Sequence, residues 1–356
     1  MSSVQPPPRV AIVGAGIAGS TCAHALAAAG WAVRVVDKSR GPGGRLATRR
    51  LEWVDPQGRA RRAGFDHGAP GFAVRTPGLR EAVDAAARAG VLRAWSPVAA
   101  PGGRPCDDTA VLQLGSPDMP AWCRWLLQGL PTTWRWPVAR LQRNAQGWWL
   151  ESADGGQDGP YDAVVLALPP AQAAPLLADH RREWAQRASL ALMQPCWTLM
   201  GVTGAHGDDR GWDLGRPQTG PLAWVARNDA RPGRTAEGNE AHWVLHARAG
   251  WSRHHLEHPA AWVQAQLQSA LQDWLGRPLD WQHVVVHRWR YARPAAGAAA
   301  PGGPCWWDAS LGLGVCGDFL GGTGVEGAWQ SAQALAGRLL AEPVGRPAAE
   351  TAEVGP

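Results

Sequence analysis

The N-terminal stretch Val10–Gly19 constrains the fold of this chain more than any other segment. A short apolar run leads into Gly14-Ala15-Gly16-Ile17-Ala18-Gly19, and an alanine-rich helical segment follows as far as Gly30. This is the strand, turn and helix order of a dinucleotide-binding unit. In such a unit Gly14 permits the turn, Gly16 lets backbone N–H groups approach a pyrophosphate, and Gly19 allows helix and strand to pack closely. We therefore predict dinucleotide contacts from Gly14, Ala15, Gly16, Ile17, Ala18 and Gly19.

A second predicted strand, Val33–Asp37, ends on an acidic residue. Asp37 lies eighteen positions after Gly19, about where a dinucleotide fold places the carboxylate that accepts hydrogen bonds from ribose hydroxyls. Strand, glycine triplet, helix, strand and acid in this order predict an α/β cofactor domain of the Rossmann type.

A second glycine-rich loop, Arg40-Gly-Pro-Gly43-Gly44-Arg45, follows directly. Paired glycines let backbone lie against a bulky ligand, and arginines at that place can meet phosphate oxygens with forked donors. A plain nicotinamide dehydrogenase has no use for this second loop. We predict that Lys38, Arg40, Gly43, Gly44 and Arg45 also bind the cofactor.

The acid followed by Gly-Gly-Arg resembles the FAD-dependent amine oxidase superfamily, and the run DKSRGPGGR over Asp37–Arg45 resembles its renalase-like branch of bacterial NAD(P)/FAD-dependent oxidoreductases. The resemblance implies a Rossmann-like, p-hydroxybenzoate-hydroxylase-like FAD-binding domain with an inserted substrate domain that is mainly an antiparallel sheet. It also implies FAD as the cofactor. Cys316 raises the question of a covalent flavin, but its place at the end of a buried strand favours a core residue, so we expect non-covalent FAD.

The same resemblance assigns further cofactor contacts along the chain. Gly68 and Ala69 would contact the isoalloxazine through their backbone, and Val138 would rest against the adenine. Gly317 and Asp318 would hold a ribityl hydroxyl or the pyrophosphate. A helix beginning near Gly324 and Val325 would direct its N-terminal N–H groups at the flavin N1–O2 edge, where negative charge develops on reduction. We expect His67 to be a loop histidine with an ordinary pKa.

The remaining patterns predict the domain organisation. They indicate a solvated hairpin over Ala47–Arg62, a helix over Pro77–Gly90, and a second helix with Asp118 as its N-cap. A hairpin of Val138–Gln142 and Trp148–Ser152 precedes a buried parallel strand. Long, partly alternating strands and one helix, Ala260–Leu275, then predict the inserted sheet. We assign residues 1–70, 105–178 and 300–342 to the FAD-binding domain, 71–104 and 179–299 to the substrate domain, and 343–356 to a disordered tail.

Composition adds mainly exclusions. The 356 residues carry a net charge of +5, but the positive charge is scattered and every basic residue except Lys38 is arginine, so we expect no nucleic-acid partner. The six cysteines form no C-x-x-C pair, which leaves a metal site unsupported. Without a signal segment or a long apolar run we expect a reduced, cytoplasmic protein that contacts no membrane.

An FAD domain and a separate sheet domain predict a site between them, with hydride transfer to flavin N5 and O2 as the electron acceptor. Three substrate classes stay open: an amine, an isoprenoid or polycyclic compound that is oxidised or desaturated, and a 2- or 6-dihydro isomer of NAD(P)H as in renalases. A flavin-fold binding factor without turnover is a fourth possibility.

The residue types favour the dihydropyridine. Amine-oxidising members of the superfamily use two tyrosines and a lysine, whereas this chain has only Tyr161, Tyr291 and Lys38. A dihydropyridine needs no protein base, because its ring nitrogen drives the hydride out. We assign no catalytic residue, and the candidates for lining the substrate site are Trp224, Asn228, His246, Arg288, Trp289 and Tyr291.

Overall fold

The computed structural model of the chain describes residues 6–55, 57–101, 111–204, 211–236, 240–295, 302–342 and 344. The predicted disordered tail, residues 343–356, lies outside these ranges except for residue 344.

Within the described residues the chain forms strands and helices in alternation at both ends and mainly strands in the middle. The strands are β1 (Arg9–Val13), β2 (Ala32–Val36), β3 (Arg49–Val54), β4 (Ala60–Phe65), β5 (Leu92–Trp95), β6 (Leu112–Gly115), β7 (Thr132–Thr133), β8 (Val138–Asn144), β9 (Gly147–Ser152), β10 (Gln157–Tyr161), β11 (Ala163–Leu166), β12 (Met193–Thr203), β13 (Leu214–Gly215), β14 (Leu222–Arg227), β15 (Ala241–Ala247), β16 (Trp281–Pro294), β17 (Trp306–Asp308) and β18 (Leu313–Val315). The helices are α1 (Ile17–Ala28), α2 (Pro77–Arg88), α3 (Ala121–Leu126), α4 (Pro170–Leu177), α5 (Arg182–Leu190), α6 (Ala249–His254), α7 (Ala260–Leu275), α8 (Asp318–Gly321) and α9 (Gly324–Ala341).

The first sheet has the strand order β17-β18-β11-β1-β2-β7 and is parallel except for the edge strand β17. Because β1 is buried on both faces, its residues alternate between two clusters. Val10 and Ile12 pack with residues of α1 and α9, whereas Ala11 and Val13 pack with the three-stranded sheet β8-β9-β10. The predicted Rossmann-like domain is therefore confirmed, with the first and last parts of the chain side by side.

The second large sheet is antiparallel, with the order β13-β14-β15-β12-β16. Along β12, Leu199 faces α7, while Met200 and Val202 face the β3–β4 hairpin. The period of two between these faces is what a sheet covered on both sides requires. The helix predicted over Ala260–Leu275 has those bounds in the structure, and the inserted antiparallel sheet is confirmed.

The described part of the segment 71–104, residues 71–101, has contacts on both sides. Leu79 of α2 and Leu92 of β5 share a hydrophobic cluster with Val10, and β5 pairs with β6. Near its end, Ala100 packs in the core of the antiparallel sheet. Apolar periodicity shows which face of an element is buried but not which partner covers it, so the assignment of this segment to the substrate domain stays a prediction.

Asp118 is not the N-cap of the helix that follows it. Helix α3 begins at Ala121 with Pro120 in the N-cap position and no side-chain cap. The Asp118 carboxylate instead accepts hydrogen bonds from Arg50, at 3.0 Å, and from Arg124, at 2.5 Å. Two nearby guanidinium groups outcompete a backbone N–H for this carboxylate.

Candidate cofactor and active site

A cavity of about 1550 Å³ is lined by residues of both large sheets and their loops. Ligand pockets usually measure about 300–1,000 Å³, so this one has room for a cofactor and a substrate together. Most of the predicted cofactor residues line it: Gly14, Gly16, Ile17, Ala18, Asp37, Lys38, Gly43, Gly44, Arg45, Gly68, Ala69, Val138, Gly317, Asp318, Gly324 and Val325. Ala15, Gly19 and Arg40 do not line the cavity.

The first glycine loop shapes one end of the cavity. Gly14 has a φ of +107°, and a Cβ at Gly19 would overlap the carbonyl oxygen of Gly14. At Gly16, the N-cap of α1, a Cβ would meet no described atom closer than 3.8 Å. Gly19 therefore serves the packing of helix and strand, while Gly16 leaves open the space that a phosphate at the helix N-terminus needs.

Asp37 braces this loop from the end of β2. Its Oδ2 accepts the N–H of Ala15 at 2.7 Å, and its Oδ1 accepts the N–H of Ser39 at 2.7 Å. Each carboxylate oxygen can accept a second hydrogen bond, so Asp37 can hold the loop and a ribose hydroxyl together. Ala15 contributes to the site through this brace rather than by lining the cavity.

The second glycine loop is hydrogen-bonded to the first. The N–H of Gly43 donates to the carbonyl of Ala15 at 2.8 Å, and Gly16 and Gly43 form a parallel bridge. The two loops are thus one continuous wall of backbone. Arg40 is exposed and outside that wall, so its phosphate contact stays a prediction.

Arg45 and Asp318 form an ion pair across the cavity wall. Two N–H groups of Arg45 donate to the two carboxylate oxygens of Asp318, each at 2.7 Å, and a third contact reaches the carbonyl of Ala292 in β16 at 3.2 Å. The Asp318 side chain is only 3% exposed. The sequence predicts the two as separate cofactor ligands, but the structure joins them and fills the fork of Arg45 with a carboxylate.

The last part of the chain completes this end of the cavity. Gly324 and Val325, at the start of the 18-residue helix α9, line it as predicted. Glu326 in the first turn accepts hydrogen bonds from the hydroxyl and the N–H of Thr76, at 2.6 and 2.8 Å. Cys316 is fully buried and does not line the cavity. A hydrogen bond with Cys22, together with burial, raises the pKa of Cys316 well above its usual value, so this residue stays a thiol.

The inner loop, Asp66–Ala69, is held by side chains of the antiparallel sheet. His246 donates through Nε2 to the carbonyl of Gly68 at 2.8 Å, and Trp289 donates through Nε1 to the carbonyl of His67 at 3.0 Å. The His67 ring packs against Trp289, with ring centres 5.0 Å apart. His246 and Trp289, predicted as substrate contacts, line the cavity and also fix the inner loop.

The histidines around the inner loop are uncharged at neutral pH. Burial, with a further contribution from His287, lowers the pKa of His67 to about 3. Burial lowers the pKa of His246 to about 4, and burial together with the charge of Arg49 lowers the pKa of His287. The expectation of an ordinary pKa for His67 is wrong, because the antiparallel sheet covers the loop.

Two of the predicted substrate residues have other partners. Asn228 does not line the cavity: it is buried, donates to the carbonyl of Gly64 at 2.9 Å and accepts the N–H of Asp66 at 3.0 Å. Arg288 lines the cavity, but its guanidinium pairs with Glu257 at 2.7 Å. A single-sequence pattern could not reveal either partner. Trp224 and Tyr291 line the cavity as predicted.

The charges on the cavity wall are segregated. The described carboxylates that line it, Asp37, Asp318 and Glu326, are all at the end formed by the glycine loops and α9. The wall contributed by the antiparallel sheet and its loops carries six arginines instead: Arg216, Arg248, Arg253, Arg288, Arg290 and Arg293. The sequence analysis singled out Arg288 among these six arginines, but it could not show that the fold brings all of them to one wall.

Four of these arginines have no carboxylate partner among the described residues. Arg216 lies over the ring of Trp224 at 4.9 Å, and Arg248 donates to the carbonyls of Pro217 and Gly220. Arg293 donates to the side chain of Gln194 at 3.0 Å, and Arg253 is exposed. The remaining two, Arg288 and Arg290, share Glu257. This half of the cavity is therefore net positive and suits an anionic ligand.

Two further findings concern the described part of the chain as a whole. None of its helices combines the length and hydropathy that crossing a membrane demands. Its histidines, cysteines and acids form no group of three that could hold a metal ion.

Two family models match the chain. Residues 12–86 match the NAD(P)-binding Rossmann-like domain, and residues 121–340, more than half of the chain, match the flavin containing amine oxidoreductase family. These matches agree with the predicted superfamily, cofactor and fold.

Several solved structures share the fold over nearly the whole chain. A candidate protoporphyrinogen oxidase from Exiguobacterium sp. 255-15 has a TM-score of 0.66 at 13% identity and covers 96% of this chain and 100% of its own. Cyclohexylamine oxidase from Brevibacterium oxydans IH-35A has a TM-score of 0.59 at 15% identity, covering 95% and 99%. A reduced UDP-galactopyranose mutase has a TM-score of 0.58 at 10% identity, covering 81% and 84%.

Proposed function

Because the chain belongs to the flavin containing amine oxidoreductase family, it is an FAD-dependent oxidoreductase, and we propose that it oxidises an anionic, reduced dihydropyridine. The proposed substrates are the 2- and 6-dihydro isomers of NAD(P)H, which are the substrates of the renalase-like branch that the Asp37–Arg45 run resembles. O2 is the proposed electron acceptor and the cytoplasm the proposed location.

The residues at the end of the cavity formed by the glycine loops and α9 fit FAD. Gly16, Gly43 and Gly44 present backbone without side chains, Asp37 has free lone pairs for ribose hydroxyls, and the N-terminus of α9 offers unpaired N–H groups. When bound, FAD supplies a hydride acceptor at N5 and returns the electrons to O2 as hydrogen peroxide. The chain itself binds and orients the two ligands and supplies the electrostatic surroundings.

The single observation that carries the substrate class is the arginine wall. A cation about 8 Å from one uncompensated guanidinium, at an effective dielectric constant of about 20, is disfavoured by about 2 kcal/mol, and an anion is favoured by the same amount. Four such arginines line the substrate half. They favour the phosphates of a dinucleotide and oppose the cationic form of an amine.

The other groups near the inner loop support the same substrate. His67, His246 and His287 are neutral, and a dihydropyridine needs neither an acid nor a base to release its hydride. The groups that amine-oxidising members use are not assembled: Tyr161 is buried in another part of the fold, beneath Arg9, and Lys38 contacts Gln172 at the cofactor end. Tyr291 alone of these lines the substrate half of the cavity.

A carboxylated polycyclic compound is the second candidate. The arginine wall suits its carboxylates, and a cavity of about 1550 Å³ would admit it beside the cofactor. One similar structure is a candidate protoporphyrinogen oxidase.

The test is anaerobic reduction of the FAD-loaded protein, followed by stopped-flow absorbance of the flavin band. We expect fast bleaching by 2- or 6-dihydro-NAD(P), slow bleaching by ordinary NADH and NADPH, and none by phenethylamine or polyamines. Fast bleaching by an amine alone refutes the proposal, and fast bleaching by a porphyrinogen alone selects the second candidate. A protein that remains yellow with every compound supports the binding-factor alternative.

Charge variants test the arginine wall separately. Arg216→Gln should raise the KM for the dihydronucleotide roughly tenfold, since one charge contact is worth about 1.4–2 kcal/mol. The matched control is Arg338→Gln, which removes the same charge from a half-exposed side chain near the end of α9. Equal KM values for the two variants would mean that the wall does not contact the substrate.

A further inference from the structure

Asp66, Arg231 and Arg234 form a buried charged cluster behind the inner loop. Arg234 places Nε and Nη2 at 2.9 and 2.8 Å from Oδ2 of Asp66, and Nη1 of Arg231 lies 3.4 Å from the same oxygen. The side chains of Asp66 and Arg231 are 0% exposed and that of Arg234 is 6% exposed. None of the three lines the cavity, so the cluster is not itself a ligand site.

The cluster carries one more positive charge than negative. Both carboxylate oxygens of Asp66 have described donors, because Thr48 donates to Oδ1 at 2.6 Å and Arg234 donates to Oδ2 at 2.9 Å. The excess charge is that of Arg231, whose Nε and Nη2 find no acceptor in the described structure and whose guanidinium lies over the ring of Trp95 at 5.1 Å. Burying an incompletely paired guanidinium costs several kcal/mol. This cost in folding free energy suggests that the charge has a functional role.

The position of Arg231 indicates where that charge acts. Asp66 begins the inner loop, and Gly68 and Ala69 of this loop line the cavity. His246, which holds Gly68, also feels the cluster: after burial and the hydrogen bonds it makes, the charge of Arg231 contributes to the lowering of the His246 pKa. Through its 3.4 Å contact with Asp66, Arg231 thus lies directly behind the start of the inner loop.

We propose that Arg231 is a fixed positive charge that stabilises the negative charge on the flavin ring when FAD is reduced. The family resemblance places the ring against Gly68 and Ala69, which follow Asp66 by two and three residues. A buried charge acts through a medium of low polarisability and is weakly screened by salt. It also needs no reorganisation at the moment of reaction, which is the condition for efficient electrostatic stabilisation. This role does not depend on which substrate delivers the hydride.

Sulfite binding by the FAD-loaded protein tests the proposal without turnover. Sulfite adds reversibly to N5 of oxidised flavin, and the electron pair that the ring gains leaves it negatively charged. One elementary charge at about 10 Å, at an effective dielectric constant of about 20, changes such an equilibrium by roughly tenfold. We therefore expect Arg231→Met to raise the Kd for sulfite about tenfold, and Arg231→Lys, which keeps the charge, to change it less than threefold.

Two more variants separate charge from structure. Arg50→Gln removes a charge from the β3–β4 hairpin, which leads into Asp66. Because this side chain is 79% exposed, the change should leave sulfite binding unchanged. Asp66→Asn removes the negative member of the cluster and should lower the Kd, opposite in direction to Arg231→Met. Loosening of the inner loop would instead weaken sulfite binding in both variants.

The outcomes decide the matter as follows. A Kd that rises in Arg231→Met, holds in Arg231→Lys and falls in Asp66→Asn supports the proposal. A Kd unchanged in Arg231→Met, or raised in both Arg231→Met and Asp66→Asn, overturns it. Should Asp66→Asn fail to fold, the pair Arg231→Met and Arg231→Lys still decides. The methionine retains most of the volume over Trp95 and removes unpartnered donors, so we expect that variant to be at least as stable as the parent.

Discussion

Removal of Arg45 should destabilise the protein before any cofactor binds. In the structure its guanidinium meets both carboxylate oxygens of Asp318 at 2.7 Å. Asp318 is 3% exposed, so its carboxylate has little access to water once the partner is gone. Breaking a buried pair by removing one partner costs about 3–5 kcal/mol. Because Arg45 is about one-third exposed, we expect a loss somewhat below that range, about 2–3 kcal/mol, for Arg45→Ala.

The double variant identifies the cause. When Asp318→Ala is combined with Arg45→Ala, no unpaired buried carboxylate remains, so the loss should be smaller than the sum of the two single losses. The expected coupling free energy is about 2 kcal/mol, well above the error of such cycles. The assay is urea unfolding of the FAD-free protein, with unchanged m-values as the condition for comparing free energies.

The matched control is the pair Arg338–Glu342, which also has two N–H···O contacts, at 3.1 and 3.2 Å, but with both side chains about half exposed. Surface pairs of this kind contribute about 0.3–0.5 kcal/mol. If the coupling of Arg45 with Asp318 is no larger than that of the control, the reasoning about burial is wrong. A large coupling would also show that this contact, between residues 273 positions apart, helps to hold the two ends of the chain together.

Three further predictions follow from the same region. Asp37→Ala should weaken FAD binding roughly ten- to a hundredfold, because a charged acceptor for ribose hydroxyls is worth about 1.5–3 kcal/mol. An unchanged Kd in a flavin-fluorescence titration would mean that Asp37 does not bind the ribose and only holds the N–H of Ala15. Acid or heat denaturation should release all of the flavin into the supernatant, since Cys316 is a buried thiol, and yellow colour in the precipitate would contradict this. The pKa of His246 is about 4 in the folded protein against about 6.5 when unfolded, so the unfolded state takes up the proton first and stability falls as the pH drops from about 6.5 towards 4. The resulting loss of unfolding free energy is about 2 kcal/mol at pH 5 for this one group. The difference in unfolding free energy between pH 7.5 and pH 5 should therefore be smaller in His246→Gln than in the parent, and unchanged in the exposed control His258→Gln.

Local sequence was sufficient for the elements whose signal is local. The turn after β1 needs glycine at Gly14 for its φ of +107° and at Gly19 for helix packing, and these requirements are written in ten consecutive residues. The strands of the antiparallel sheet and α7 show their burial as a period of two or of 3.6 residues. These parts of the fold were predicted with nearly their observed bounds.

Partnerships between distant residues left no such trace. Arg45 and Asp318 were each assigned to the cofactor, yet their pairing depends on how the two ends of the chain meet. Asn228 was a candidate for lining the substrate site, but its amide holds the inner loop. In both cases the residue type was informative about polarity, while its partner was fixed only by tertiary packing.

The distribution of charge along the cavity connects the two proposals. The carboxylates that line the cavity lie at the end formed by the glycine loops and α9, and each accepts hydrogen bonds from described donors. Asp37 accepts from two N–H groups, Asp318 from Arg45, and Glu326 from Thr76. Positive side chains stay uncompensated at two other places. The arginine wall acts on a ligand that arrives from solvent, so its effect should diminish with added salt. Arg231 is shielded from solvent, so its effect on the ring should persist at salt concentrations that abolish the first. The substrate KM and the sulfite Kd should therefore be measured on the same protein across a range of ionic strength, with the activity coefficient of free sulfite taken into account. We expect KM to rise with salt, because the arginine wall is screened, and the effect of Arg231→Met on the sulfite Kd to stay the same.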